Sequence, residues 1–105
     1  MIVTTTSNVE GHRIVEYKGL VSSTAIHGIN VGKDFMAAGR NLVGGRSKSY
    51  EGEIGKGQGE ALSEMQQAAE ELGANAIVGV SLDAEALGTG NMLMVNMTGT
   101  AVVVE

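Results

Sequence analysis

The hydrophobic pattern is strongest between Ser47 and Val80. Ala61, Met65, Ala68 and Leu72 recur at spacings of 4, 3 and 4, and Leu62 and Ala69 widen the stripe. Glu60, Glu64, Gln66, Gln67, Glu70 and Glu71 fall largely off it. That is the period of an amphipathic helix. Gly73 follows Leu72, where a helix can end in a left-handed residue. Ala76-Ile77-Val78-Gly79-Val80 is short, apolar and β-branched, as in a mostly buried strand.

The start of this helix is open to two readings. Gly52, Gly55, Gly57 and Gly59 could form a loop, with the helix beginning near Glu60. Yet an apolar register runs back through them, by way of Met65, Ala61, Gly57, Ile54 and Tyr50. The register favours one helix from Ser47, as N-cap, to Leu72. Each glycine then costs about 1 kcal/mol relative to alanine. Gly52, Gly55 and Gly59 share a side, which is expected to lie close against another backbone.

Around this unit the pattern alternates. Ile2 to Thr6 reads as a short strand and Arg13 to Val21 as a second, with Val15, Tyr17 and Val21 on one face. Ser22 to Ile26 can extend it before a turn at His27-Gly28. Asn30 to Val43 predicts a first helix through Val31, Phe35, Ala38 and Leu42. Ala76 to Ala84 is a third strand, with Val78, Val80 and Leu82 on one face, and Leu87 to Asn91 a hairpin loop. Met92 to Val104 is the longest strand. Its odd positions, Leu93 to Val103, are apolar or glycine and should be core. The order β-β-α-α-β-β predicts an α+β domain, an antiparallel sheet packed on a long helix. One domain should span residues 1–105.

Composition sharpens this picture in two ways. Three aromatics among 105 residues make the core aliphatic, and sixteen glycines without a proline leave stability to be supplied by subunit contacts. From Asn91 to Val104 there are 14 residues without a charge. An unguarded strand of this kind seeks partners. Met92, Met94, Val102 and Val104 on its even face are the expected interface of a homo-oligomer, since a domain with two helices cannot easily cover both faces.

Charge and chemistry mostly exclude. The net charge of -5 with scattered basic residues argues against nucleic acid. No apolar run approaches ~18 residues, so no membrane helix is expected, and the start lacks signal-peptide features. A cytoplasmic protein is the expectation. No cysteine is present, which removes thiolate metal sites and cysteine nucleophiles. Gly55-Lys56-Gly57-Gln58-Gly59 lacks the spacing of phosphate-binding fingerprints, so close packing is its expected role. His12 and His27 both adjoin glycine and read as solvated loop residues. Met97 lies on the opposite strand face from Met92 and Met94, so the three cannot converge simply on a soft metal. Asp34, Arg40, Arg46 and Glu51 group around the first helix and the Gly44-Gly45 turn, as a small anion site or an intersubunit salt bridge. No catalytic constellation, metal ligand set or cofactor is assigned.

With these residues in view, the chain resembles the YbjQ-like family of small bacterial proteins over nearly its whole length. The resemblance rests on the Met1-Ile2-Val3-Thr4-Thr5 start, Val15-Glu16-Tyr17-Lys18-Gly19, Asp34-Phe35, Val43-Gly44-Gly45-Arg46-Ser47 and Tyr50-Glu51. Leu72-Gly73-Ala74-Asn75-Ala76-Ile77-Val78-Gly79-Val80, Met92-Leu93-Met94-Val95 and Gly99-Thr100-Ala101-Val102 are its most specific parts. It implies a dodecin-like subunit and a ring-shaped homo-oligomer, a pentamer. It also brings a heavy-metal-binding label, with no ligand set that maps onto these residues, and no activity. The expected function is a ring-forming binding or structural module without catalysis of its own, its small ligand or protein partner undefined. The alternatives are a metal-binding protein, or an enzyme with a site built between subunits.

Overall fold

The computed structural model describes residues 1–28 and 45–105, with the side chains of 45–51 and 53 left out. The expected helix over 30–43 lies outside the described residues. The elements are β1 (Ile2–Val3), β2 (Ile14–Gly28), α1 (Gly45–Glu71), β3 (Ala76–Leu87) and β4 (Met92–Val104).

The helix is continuous through all four glycines, as its apolar register requires. It starts at Gly45, so Ser47 lies in the first turn and is not the N-cap. Its far end is a Schellman closure. The Gly73 N–H donates to Glu70 O and the Ala74 N–H to Ala69 O, with Gly73 at φ 84°. Leu72, outside the last turn, is exposed and not core.

Four strands form one sheet in the order β1-β3-β4-β2. β4 is central and antiparallel to both β2 and β3. β1 runs parallel to β3, so the sheet is mixed. β2 continues through His27 and Gly28, where a turn was expected, because each pairs with β4 at Leu93 and Met92. β3 likewise runs past Ala84 to Leu87.

One core lies between the sheet and α1. Gly57, Ala61, Met65 and Ala69 come from the helix, and Leu93, Val95, Met97 and Ala101 from the odd face of β4. Burying a side chain such as Met65 or Val95 contributes roughly 1.5–3 kcal/mol. The tightest approaches are at glycines. A Cβ on Gly57 would lie 2.6 Å from Val95 Cγ2, and one on Gly99 would lie 2.7 Å from Ile77 Cγ2. Among the described residues, nothing lies within 4 Å of a Cβ placed on Gly52, Gly55 or Gly59, so none of them supplies the close backbone expected on that side.

A second, smaller core lies on the other face. Ala76, Val78, Val102 and Val104 pack there with Val9, from the segment that joins β1 to β2, and with Ile14, the first residue of β2, paired beside Val104. Bulges explain why simple alternation fails. Two irregularities in β2, between Ile14 and Glu16 and between Tyr17 and Gly19, leave Val15 and Tyr17 exposed rather than aligned with Val21. In β3, Gly79 at φ 62° sits in a bulge between Val78 and Ser81. Val78 therefore joins the outer core while Val80 packs against the helix-side one.

Candidate functional surface

The outer face of the sheet, opposite α1, divides into two ends. At one end Asn75 closes the structure. Its side-chain amide donates to Val104 O at 2.8 Å, and its Oδ1 accepts from the Val104 N–H at 2.8 Å. Its own N–H donates to Val102 O, and its carbonyl accepts from Ile2. One asparagine thus satisfies backbone groups on β4 and on β1, the strands on either side of β3, which otherwise would be costly to bury. The Ala74-Asn75-Ala76 sequence alone gave no sign of this role. Across the same end, Arg13 Nη2 is 2.6 Å from Glu105 Oε1, tying the end of β4 to the start of β2.

At the other end none of the described residues covers the outer face. Met92 is 39% exposed and Met94 half-buried, and their β2 neighbours are Gly28 and Ile26, with Ile26 55% exposed. Between the two ends lie Asn96 and Thr98 of β4 beside Thr24 and Ser22. Thr24 Oγ1 and Asn96 Oδ1 are 2.9 Å apart and hydrogen-bonded. Leu20, opposite Thr100, is 77% exposed. The surface is neutral and mildly apolar, bordered on β3 by Asp83 and Glu85.

The expected interface residues therefore part company. Met92 and Met94 lie on the uncovered end. Val102 and Val104 lie in the outer core, already covered by Val9 and Ile14. The premise that this domain cannot cover both faces of its last strand is corrected there, because the segment between β1 and β2 folds over it. The cluster of Asp34, Arg40, Arg46 and Glu51 falls outside the residues, or the side chains, that are described.

His27 is not a solvated loop residue. It ends β2, and its Nε2 lies 2.9 Å from Glu60 Oε2 on α1. The histidine side chain is mostly buried, with the glutamate more exposed. Close by, the Ser23 hydroxyl donates to the carbonyl of Ala61. Together they fasten the helix to β2. His12 is exposed, in an isolated bridge with Val9. Among the described residues, no group of three or more His, Asp and Glu converges as a metal site. No helix among them is long and apolar enough to cross a membrane.

The fold and this surface define a small α+β protein in which, among the described residues, one sheet face is half covered and parts of β2 and β3 carry no further strand. The chain belongs to the YbjQ family, whose model, described as "Putative heavy-metal-binding", matches residues 1–105. It is 55% identical to a UPF0145 protein of Acetivibrio thermocellus over 106 residues, covering all of both chains. It is 56% identical to a UPF0145 protein of Corynebacterium jeikeium, covering 97% of each. Its structure resembles the crystal structure of a protein of unknown function from Pediococcus pentosaceus, of the DUF74 family. The TM-score is 0.72 at 18% identity, covering all of this chain and 98% of the other. That likeness supports the fold.

The family description invites a test against the donors present. Heavy-metal sites favour thiolate, thioether and imidazole ligands. The chain has no cysteine. Met97 is buried on the helix side while Met92 and Met94 lie on the outer face. His12 and His27 stand near opposite ends of β2. The described residues of one subunit do not fit a soft-metal site.

Proposed function

We propose that the chain is a self-assembling module, a ring-shaped homo-oligomer that serves as a binding or structural particle without catalysis of its own. The observation that carries this reading is that, among the described residues, two stretches of sheet edge carry no further strand and flank a partly exposed apolar strip of Ile26, Met92 and Met94. Open edges with apolar flanks are aggregation-prone unless paired. A closed ring pairs both of these stretches. The pentameric count, and the likeness to a dodecin subunit, rest on the family resemblance alone. Light scattering coupled to size-exclusion chromatography at micromolar concentration is the direct test. A particle several times 10.8 kDa is expected, whereas a stable soluble monomer would sink the reading.

Metal binding by one subunit's own donors is not part of this proposal, for the reasons of geometry above. Calorimetric titration with Zn(II) and Cu(I) is expected to show no stoichiometric submicromolar site. A site that is lost on changing Met92, Met94, His12 or His27 would reverse that view.

A further inference from the structure

Besides the short outer edge of β1, two longer stretches of sheet edge stand open among the described residues. β1 and Thr4–Thr6 close the outer edge of β3 only as far as Val80. The last bonds there run from the Gly79 N–H to Thr6 O and from the Val80 N–H to Thr4 O. Beyond the bulge, Ser81–Leu87 is paired on the β4 side only. On the far side of the sheet, β2 is terminal. Its first third is broken by two irregularities, and the rest is regular. The open stretch of β3 is seven residues long, and the regular part of β2, Gly19–Gly28, is ten, long enough to span it. Both strands are antiparallel to β4, so they run in the same direction.

We infer that Leu20–Ile26 of one copy pairs in parallel with Ser81–Leu87 of the next, and that this heterologous contact closes the ring. The inference rests on the assembly proposed above and names its contact. Three features select this pairing over two-fold alternatives. A β3–β3 contact would set Asp83 and Glu85 of one copy beside the same residues of the other, and like charges across strands repel. A β2–β2 contact would leave the β3 edge open in every copy. The β2–β3 contact places Asp83 and Glu85 beside neutral Ser22, Thr24 and Ile26.

The two faces agree with it. α1 lies over β2 and β4 and barely reaches β3. Leu82, Ala84 and Ala86, on the helix side of β3, are therefore exposed within the subunit. In the proposed contact they sit beside Val21 and Ala25 of the neighbour, which that neighbour's helix already covers. On the outer side, Ile26 extends an apolar strip with Met94. Each copy uses one edge of each kind, so a closing rotation leaves neither of these two stretches unpaired.

Disulfide trapping tests this cleanly, because the chain has no cysteine of its own. Thr24→Cys is combined with Asp83→Cys or with Glu85→Cys, all at exposed positions. Within one chain β4 separates these sites by two strand spacings, about 10 Å. That exceeds the ~7 Å limit for a disulfide, so any link joins two copies. On oxidation, at least one double variant is expected to give a covalent ladder beyond the dimer on a non-reducing gel. Each single variant should stay at monomer size. Single variants that give dimers, with no ladder from the doubles, would replace the model of contact with a two-fold one. No cross-link in a protein whose native mass is still a multiple would overturn the edge pairing and leave the assembly standing. A monomeric wild-type protein would overturn both. If a reduced double variant loses the wild-type mass, Ser22→Cys with Asp83→Cys gives the same readout.

Discussion

The two halves of β3 lie in one continuous strand and in opposite surroundings. From Ala76 to Val78 the side chains are buried, with Ala76 and Ile77 fully so. That half is covered by α1 on one face and by Val9 and Ile14 on the other, and its edge is closed by β1. From Ser81 to Ala86 every residue is exposed. β4 repeats the contrast on its outer face, between buried Val102 and exposed Met92. A strand's own composition therefore says little about its cover. What lies over it is decided by segments distant in sequence.

The sharpest way to break this comparison is to charge each half. Val102→Lys would bury an unpaired ammonium in the covered end. It is expected to cost about 4 kcal/mol or more, and to abolish the cooperative urea transition. Met94→Lys, on the open end, should keep its circular dichroism spectrum and lose native mass instead. A folded, wild-type-like Val102→Lys protein would show that the covered end is not covered.

Next in size is Gly99→Ala, where β4 passes under the β3 bulge. Its Cβ would meet Ile77 Cγ2 at 2.7 Å and Val80 Cγ2 at 3.2 Å. A loss of about 2 kcal/mol is expected from overpacking. Gly55→Ala faces open space on the helix and should stabilise by up to about 1 kcal/mol through propensity alone. Opposite signs in chemical denaturation at one protein concentration are the check. A destabilising Gly55→Ala would mean that another molecule packs there.

Asn75→Ala should cost about 1.5 kcal/mol, because two partly buried backbone groups of Val104 lose their partner. Hydrogen exchange should rise first at Val104. Uniform protection across the sheet would contradict a role confined to the covered end.

The smallest effect is expected at the open end. Glu60→Gln weakens the contact to His27, whose glutamate is more than half exposed. Such pairs contribute below about 1 kcal/mol. A larger shift in the denaturation midpoint would make this pair a main fastening of the helix.

Much of the fold was legible because periodicity is local. The register from Ile54 to Met65 required a helix through the glycines, and Gly73 announced its Schellman end. The odd face of β4 read as core because Leu93, Val95 and Met97 alternate without a break. The family, too, was readable from the sequence motifs. The face assignments of Val15, Tyr17 and Val78 were not, since a bulge shifts the alternation and leaves no clear mark in composition. The candidate surface was half legible. Of the four expected interface residues, Met92 and Met94 lie on the open end, whereas Val102 and Val104 lie in the outer core, because nothing local shows Val9 folding against them.

The sequence by itself determined where the long helix and the main described strands lie, the apolar side of α1 and β4, and the absence of thiol chemistry. These follow from side-chain spacing and residue type, which act within a turn or a pleat. Only the tertiary structure decided which strand faces are covered and which edges are closed. Those depend on where Thr4–Ile14 and α1 come to lie, through hydrogen bonds such as those of Asn75 to Val104 across nearly thirty residues of chain.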